Sequence, residues 1–164
     1  MTNTEVNRQD FIEAMSALPG PVSLVTTGKG RERRGLTVSA ICSLSADPPS
    51  LIACVNKSAS AHEALLQAGC FGVNFLLPGQ QALAQLFTKK GIDRFASHDW
   101  TELSTGAPIL SQSLIAFDCR LAKVYDGFSH SILVGVVEGM TGADGIDPEG
   151  LLWHRRRFRT SADI

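Results

Sequence analysis

The stretch GLTVSAICSLSADPPS, Gly35 to Ser50, combines a strand pattern with small side chains. The residues of its first half fall on two faces: Leu36, Val38 and Ala40 on one, and Thr37, Ser39 and Ile41 on the other. Alternation with a period of two and β-branched residues predict a β-strand. Because neither face is simply polar or simply apolar, we expect this strand to offer its polar backbone edge to something planar.

The segments around this stretch predict a mainly β protein with short helices. Strands are expected at residues 22–27, 35–41, 50–55, 70–77, 114–124, 131–140 and 151–158, and helices at 8–18, 60–69 and 80–87. Many short strands bounded by turn signals favour a barrel or a sandwich. A doubly wound parallel sheet is disfavoured because strands and helices do not alternate regularly, and no GxGxxG turn is present.

Length and composition indicate one globular domain spanning residues 1–164, with flexible ends expected at 1–8 and 160–164. The chain has 44% apolar and 19% charged residues and a net charge of −1, so no broad field attracts nucleic acid. The polar start MTNTEVNRQD has no signal-like apolar region, and no apolar run reaches membrane-spanning length. We therefore expect a cytoplasmic protein without nucleic-acid or membrane partners.

The cysteines and histidines give no metal-binding pattern. Cys42, Cys54, Cys70 and Cys119 contain no CxxC pair and fall in apolar or strand-like runs, which predicts reduced thiols in the core. The four histidines have neither HxH nor i, i+4 spacing, so no metal site is expected. No GxSxG elbow supports a serine hydrolase.

Two segments suggest anion binding, each with a plainer interpretation. NKSAS, Asn56 to Ser60, precedes a predicted helix in which Ser60 and Glu63 have capping-box spacing and Gly69 is a C-terminal stop. Backbone N–H groups, two hydroxyls and a lysine there fit a phosphate, or simply cap the helix. WHRRRFR, Trp153 to Arg159, is able to stack on a base and clamp a phosphate, or is a basic tail.

These pieces together resemble the short-chain flavin reductases, the FMN-binding split-barrel reductase components of two-component flavin monooxygenases. The resemblance runs in order from about Phe11 to Phe158. The segments on which it rests are FIEAMSALPGPVSLVTT, GLTVSAICSLSADPPSLIACVNKSAS, FGVNFLL, DRF, GAPIL, the G-x-x-H turn before ILVGVVEG, and LLWHRRRF. It implies a split β-barrel and hydride transfer from NADH or NADPH to FMN or FAD.

The resemblance also implies site residues, matched by position. The flavin-binding set is Thr37, Val38, Ser39 and Ala40 beside the ring, Cys54, Val55, Asn56, Lys57, Ser58 and Ser60 leading to and holding the phosphate, and Arg94 and Phe95 nearby. The nicotinamide nucleotide is expected to meet His130, to which we assign the catalytic position, together with Trp153, His154 and Arg155. A homodimer and a separate oxygenase that receives reduced flavin by diffusion are also implied.

Three residues depart from the family pattern: Ala40 stands where a second serine is common, Ser129 where an acid often precedes the histidine, and Arg156 where glycine usually separates the arginines. The guanidinium of Arg156 either pairs with the 2′-phosphate of NADPH or points to solvent. The function has two alternatives as well. One is a split-barrel oxidase acting directly on a small substrate, and the other is a non-catalytic flavin carrier, which needs no nicotinamide site.

Overall fold

Strands dominate the computed structural model, which describes residues 6–142 and 149–161. The helices are α1 (Arg8–Ser16), α2 (His62–Ala68) and α3 (Gln81–Leu86), with one 3-10 turn at Gly30–Glu32. The strands are β1 (Gly20–Pro21), β2 (Ser23–Thr27), β3 (Arg34–Val38), β4 (Ile41–Ala46), β5 (Pro49–Asn56), β6 (Cys70–Phe75), β7 (Trp100–Glu102), β8 (Pro108–Leu110), β9 (Ile115–Gly127), β10 (His130–Gly142), β11 (Leu151–His154) and β12 (Arg157–Thr160). The predicted mainly β fold is confirmed.

The main sheet rolls up because its two edges are joined by a very short link. Its seven strands lie in the order β3-β2-β6-β9-β10-β5-β4, with antiparallel pairing throughout. Only Ser39 and Ala40 separate the edge strands β3 and β4 in the chain, which limits the Val38–Ile41 Cα separation to about 11 Å. The two edges therefore meet without forming a ladder, which gives a split barrel.

The core consists of two clusters of buried side chains, one on each face of β2, and all five residues of β2 are buried. Val25 packs on one face, with β5, β6, α2 and β10, whereas Leu24 packs on the other, with α3 and β8. Successive strand residues point to opposite faces, so a central strand with two buried faces carries no polar alternation. The second cluster contains a group of packed rings formed by Phe87, Phe95 and Trp100.

The chain closes in a hairpin, so the expectation of one strand at 151–158 is wrong. β11 pairs with β12 on one side and with β1 on the other. The turn residues Arg155 and Arg156 have φ of 48° and 59°, both in the left-handed region. A two-residue turn with both φ positive matches the right-handed twist of the flanking strands, but it normally uses Asn or Gly. Because the two turn residues are arginines, no turn signal is visible in the sequence between β11 and β12.

Two local predictions at the helices are also corrected. Ser60 does not cap α2, because the N-cap is Ala61, which makes no side-chain capping bond. Gly69 does end that helix in the left-handed conformation, with φ 65°. The helix expected at 8–18 ends at Ser16, and Phe11 and Met15 on its apolar face stay about half exposed.

The predicted core thiols are wrong for one cysteine. Cys119 is buried and Cys54 and Cys70 are partly buried, but Cys42 is exposed, since it lies on the edge strand β4. All four cysteines are free thiols. Of the ends expected to be flexible, residues 1–5 and 162–164 lie outside the described residues, while Arg8 begins α1 and Thr160 ends β12. No helix within the described part of the chain is long and apolar enough to cross a bilayer.

Candidate functional site

The gap between β3 and β4 is lined by small, exposed residues. Ser39 and Ala40 belong to neither strand, and both are exposed. The Ala40 carbonyl accepts a hydrogen bond from Cys54 N at 3.0 Å, which extends the pairing of β4 with β5 by one residue beyond Ile41. The strand that was expected to continue through Ile41 is thus interrupted at Ser39 and Ala40, which lie exposed between β3 and β4.

The two β3 residues that precede the gap are held by hydrogen bonds to neighbouring elements. The Thr37 hydroxyl donates to the Ala84 carbonyl of α3 at 2.6 Å, and the Ser23 hydroxyl donates to the Val38 carbonyl at 2.7 Å. Val38 itself is 6% exposed and belongs to the core. Of the strand residues expected beside a flavin ring, Thr37 and Val38 therefore anchor the strand, and Ser39 and Ala40 present the open surface.

The end of β5 carries the predicted phosphate segment and meets the predicted catalytic histidine. Asn56 and His130 are direct partners in the β5–β10 ladder. Asn56 Oδ1 accepts bonds from both the backbone N–H of Ser58, at 2.9 Å, and its hydroxyl, at 2.8 Å. His130 Nδ1 lies 2.9 Å from the Ser129 hydroxyl. The sheet register thus brings Asn56 and His130 together although 74 positions separate them in the sequence.

Lys57, the basic residue of this segment, is held by an acid of the neighbouring hairpin. Its ammonium pairs with the carboxylate of Asp126, and its backbone N–H donates to the Ser129 carbonyl at 3.0 Å. The hydrogen bond and the charge of Lys57 lower the pKa of Asp126. Both side chains stay substantially exposed, at 40% and 75%, so water screens this ion pair and little free energy is needed to open it.

The closing hairpin reaches the gap through β1. Trp153 is the ladder partner of Gly20, and a Cβ placed on Gly20 would lie 3.5 Å from both the Cβ and the carbonyl oxygen of Ser39. Trp153 packs edge-on against Phe158, with ring centroids 5.0 Å apart, and stays 38% exposed. The open gap therefore has an exposed indole on its β1 side.

His154 and Arg155 contact the backbone at the C-terminal end of α1. His154 Nε2 lies 3.0 Å from the Ala17 carbonyl, and Arg155 N donates to the Ser16 carbonyl at 2.7 Å. Carbonyls in the last turn of a helix lack intrahelical partners, so these two contacts complete the C-terminus of α1. Among the residues expected to meet the nicotinamide nucleotide, these two have structural partners, and Trp153 is the one beside the gap.

The opposite end of β3 opens onto a cavity of about 660 Å³. Ser60, Gly35, Arg94 and Phe95 are part of its lining. Arg94 donates from Nη1 to the Gly35 carbonyl at 2.5 Å and from Nε to the Lys89 carbonyl at 2.8 Å. Phe95 is 5% exposed and belongs to the packed ring group. Arg94 and Phe95 thus fix this wall as well as bordering the space.

Sequence reasoning missed the residues that complete these surfaces. Arg33 and Arg34 line the same cavity, and Asp126 pairs with Lys57. The GKGRERRG segment carries four positive charges, which was a usable signal for an anion site. No local signal connects Asp126 to Lys57, because the two lie 69 residues apart and meet only through the β5–β10 and β10–β9 pairing.

The arrangement fits a flavin mononucleotide. Ser39 and Ala40 are exposed and have small side chains, so a planar ring is able to approach the backbone at this gap. The turn at Asn56–Ser60 follows on the adjacent strand with Lys57, which favours a phosphate. Cys54 and Val55 join the two places, Val55 as a fully buried residue of the barrel core.

Comparison with known proteins agrees with this geometry. The model of the flavin reductase like domain matches residues 15–162. The FMN reductase (NADH) RutF of Ancylobacter novellus is 39% identical over 159 residues, covering 96% of this chain and 87% of that protein.

Two solved structures share the fold. The NADH:FAD oxidoreductase SgcE6 of Streptomyces globisporus C-1027, solved with NAD and FAD fragments, superposes with a TM-score of 0.87 at 32% identity, covering 95% of this chain and 93% of that one. BorF, the flavin reductase component of a bacterial two-component tryptophan halogenase, superposes with a TM-score of 0.85 at 31% identity, covering 96% and 100%.

The split barrel and the family match define a flavin-handling class of protein. Within that class, the chain belongs to the flavin reductase like domain family, and its enzyme activity is that of a flavin reductase. The resemblance on which the sequence interpretation rests is confirmed.

Proposed function

We propose that this enzyme uses NADH to reduce FMN at the gap between β3 and β4 and releases the reduced flavin to a separate oxygenase. The observation that carries the proposal is the exposed two-residue gap in a chain of this family: Ala40 bonds to Cys54 of β5, and that strand ends at Asn56, opposite His130. When bound, FMN supplies the hydride-accepting ring and NADH supplies the hydride. The protein supplies binding and orientation.

The ring end of the flavin is assigned to Thr37, Val38, Ser39 and Ala40. The hydrogen-bonded hydroxyl of Thr37 and the buried side chain of Val38 hold the strand in place, so the gap keeps its shape before flavin binds. Exposed N–H groups held in place stabilise negative charge that develops on a bound group, at little reorganisation cost. Small side chains at Ser39 and Ala40 keep the approach open.

The phosphate end is assigned to Asn56, Lys57, Ser58 and Ser60, with Arg94 bordering it. The side chain of Asn56 shapes the turn through its two bonds to Ser58. Lys57 contributes its charge once the phosphate replaces Asp126, a carboxylate that is 75% exposed and therefore inexpensive to release into water. Cys54 and Val55 connect this turn to the gap.

The nicotinamide side is assigned to His130, with Trp153, His154 and Arg155 around it. His130 lies at the start of β10, directly across from Asn56, where an imidazole N–H is able to orient the carboxamide or a phosphate of the hydride donor. Trp153 offers an exposed ring for stacking on the β1 side of the gap. NADH is the proposed donor because the RutF relative is named an NADH enzyme.

We also propose a homodimer. Several large apolar side chains are 40% exposed or more in the single chain, among them Phe11, Leu44, Tyr125, Phe128 and Met140. An open apolar hollow of about 400 Å³ lies along β4, β5, β9 and β10, close to Leu44. Burial of such surface is the usual driving force of association. Size-exclusion chromatography with light scattering measures the mass, and a monomer at micromolar concentration would contradict this proposal.

A cytoplasmic location accompanies the proposed function. Four free thiols, one of them exposed, persist most readily in a reducing compartment.

One experiment separates the reductase from a flavin carrier. Purified protein is mixed with NADH and free FMN, and the NADH absorbance is followed with and without oxygen. A reductase oxidises NADH in proportion to added FMN, and reduced FMN accumulates when oxygen is absent. A carrier binds FMN without consuming NADH, and that result would contradict the proposed function.

A further inference from the structure

The turn that joins β9 to β10 holds a large aromatic residue in an unfavourable backbone conformation. Gly127 and His130 are ladder partners, so Phe128 and Ser129 alone form the turn. Phe128 has φ 62°, in the left-handed region, and it is 94% exposed. A two-residue hairpin turn with a positive φ at its first position normally has glycine there. A bulky residue in this conformation is strained.

Folding does not account for the choice of phenylalanine at this position. A residue that is 94% exposed adds almost no buried apolar surface to the core. Elsewhere in the described part of the chain, glycine occupies left-handed positions such as Gly28, Gly69 and Gly106. A strained side chain that the core does not need is a reason to look for a functional contact.

The turn is held in a fixed place beside the proposed phosphate segment. The Ser129 carbonyl accepts a hydrogen bond from the Lys57 backbone N–H at 3.0 Å, and Asp126 pairs with the Lys57 ammonium. The hydrogen bond and the charge of Lys57 lower the pKa of Asp126, and a backbone hydrogen bond from Phe128 acts in the same direction. The backbone that carries the Phe128 ring is therefore tied to the end of β5 before any ligand binds.

The position of the turn indicates which ligand the ring meets. His130, two residues after Phe128, is assigned to the nicotinamide nucleotide and is the ladder partner of Asn56. Cys54, which bonds to Ala40 at the gap, lies two residues before Asn56, about 7 Å along an extended strand. A hydride donor that touches His130 and reaches a flavin in the gap thus passes close to Phe128. Its nicotinamide ring is planar and offers a face for stacking.

The surface of the proposed dimer does not by itself cover this ring. The described lining of the apolar hollow includes Ile41, Leu51 and Val137 but none of residues 127–130. Val137 lies in the middle of β10, whereas the turn precedes the first residue of that strand. A dimer built on the hollow therefore leaves Phe128 unexplained.

We propose that Phe128 binds the nicotinamide ring of the hydride donor by stacking and so helps to hold it for hydride transfer at the gap. The proposal rests on the proposed function. It adds a substrate-binding residue beside His130 that sequence reasoning did not include, and it gives the strained turn a purpose.

The test measures nucleotide binding and stability in the same set of variants. Calorimetric titrations of the FMN-loaded protein use NAD⁺, nicotinamide mononucleotide, and ADP-ribose, which lacks the nicotinamide. Wild type is compared with Phe128→Gly, Phe128→Ala and Phe128→Tyr. Tyr125→Leu is the matched control, since Tyr125 is a 51% exposed aromatic residue on the same hairpin. Urea unfolding, FMN affinity, KM and kcat for NADH, and the mass by light scattering are measured for each variant.

We expect Phe128→Gly and Phe128→Ala to weaken NAD⁺ and nicotinamide mononucleotide about tenfold, the effect of losing one stacked ring, and to raise the KM for NADH similarly. The affinities for ADP-ribose and FMN should stay within about twofold. Phe128→Gly alone should also raise the urea midpoint, because only glycine relieves the left-handed strain. Phe128→Tyr and Tyr125→Leu should resemble wild type. A residue with a merely structural role would not combine a gain in stability with a loss of nicotinamide binding.

Four results would overturn the proposal. Unchanged NAD⁺ affinity in Phe128→Gly and Phe128→Ala would remove the ring from the nucleotide site, and an equal loss for ADP-ribose would assign it to the adenosine half. An equal loss of FMN affinity would assign it to the flavin, and a fall in mass would assign it to a second copy of the chain. Failure of the proposed reductase function is distinguishable, because wild type itself would then not oxidise NADH with FMN.

Discussion

Arg156 of the closing hairpin pairs with Glu13 of α1, Nη2 to Oε2 at 2.9 Å. Neither interpretation from the sequence, a contact with a 2′-phosphate or a side chain free in solvent, included this partner. Both side chains are more than half exposed, at 54% and 62%, so the pair contributes little to stability. The pair matters for orientation, because it directs the guanidinium of Arg156 toward α1.

Arg156→Gly should therefore leave cofactor preference nearly unchanged. We expect the ratio of kcat/KM for NADPH and NADH to stay within about twofold of wild type, whereas loss of a phosphate contact would change it about tenfold or more. The unfolding midpoint should stay or rise, since glycine relieves a left-handed backbone strain of about 1 kcal/mol at φ 59°. Glu13→Gln is the control. A large drop in NADPH use in Arg156→Gly alone would show that this arginine contacts the 2′-phosphate.

Ser39→Leu should keep the fold and lose flavin. Ser39 is exposed in the strand gap, so leucine is accommodated without disturbing the core, but its branched side chain fills the space assigned to the ring. We expect FMN affinity to fall at least about tenfold by fluorescence quenching, with an unchanged circular dichroism spectrum. Ser43→Leu, an exposed serine further along on β4, is the matched control. Equal FMN affinity in a folded Ser39→Leu would place the ring elsewhere.

The sequence determined much of the fold where the signals are local. Apolar runs and the turns that flank them located β5, β9 and β10 to within a few residues. The gap at Ser39–Ala40 was not predictable, because the alternation continues through it and the interruption depends on how the two edges of a rolled sheet meet. The Arg155–Arg156 turn was missed since it contains none of the residues that usually mark such a turn.

In the candidate site, too, the features with local sequence signals were predicted and those that depend on long-range contacts were not. The turn at Asn56–Ser60 was found from its own residue types, since a polar cluster after a strand is a local signal. The ion pair of Lys57 with Asp126 and the contact of His154 with Ala17 depend on long-range pairing. The capping prediction at Ser60 failed because backbone turns before the helix, including the His62 N–H to Ala59 carbonyl bond, lead the chain to begin the helix later.

His130→Ala should impair the use of NADH more than the binding of flavin. The imidazole lies across from Asn56 at the start of β10, with only the neighbouring Ser129 hydroxyl beside its Nδ1 in the described structure. We expect kcat/KM for NADH to fall about tenfold or more, while FMN affinity changes less than about threefold. Ser129→Ala should have a smaller effect, since it removes only the orienting contact. Normal NADH kinetics in His130→Ala would withdraw the catalytic assignment.

The four thiols should differ in their reaction with iodoacetamide. Only the thiolate reacts, and burial raises the pKa of Cys119 to about 12, with the charges of Asp118 and Glu138 acting in the same direction. Burial and the nearby Cys42 also raise the pKa of Cys54. At mildly alkaline pH we therefore expect the exposed Cys42 to be labelled first and Cys119 last, as measured by peptide mass spectrometry.

Unfolding provides the control for this experiment. In guanidinium chloride the four cysteines should react at similar rates, because the burial that raises the pKa of Cys119 is gone. Because the thiolate is the disfavoured form in the folded state, protection of Cys119 should persist until the pH approaches 12 or the protein unfolds. Early labelling of Cys119 in the folded protein would contradict its burial between β6 and β10.

Gly135→Ala should destabilise the barrel at the centre of β10. A Cβ on Gly135 would lie 2.6 Å from Cζ of Phe71 and 2.9 Å from Cβ of Cys119, in the buried cluster between the strands. Such overpacking costs about 1–3 kcal/mol, and the free energy of unfolding in urea should fall by that amount. Gly139→Ala on the same strand is the matched control, since its nearest contacts would be 3.4 Å or longer. If both variants unfold at the wild-type midpoint, the packing of Phe71 against Gly135 is looser than the structure shows.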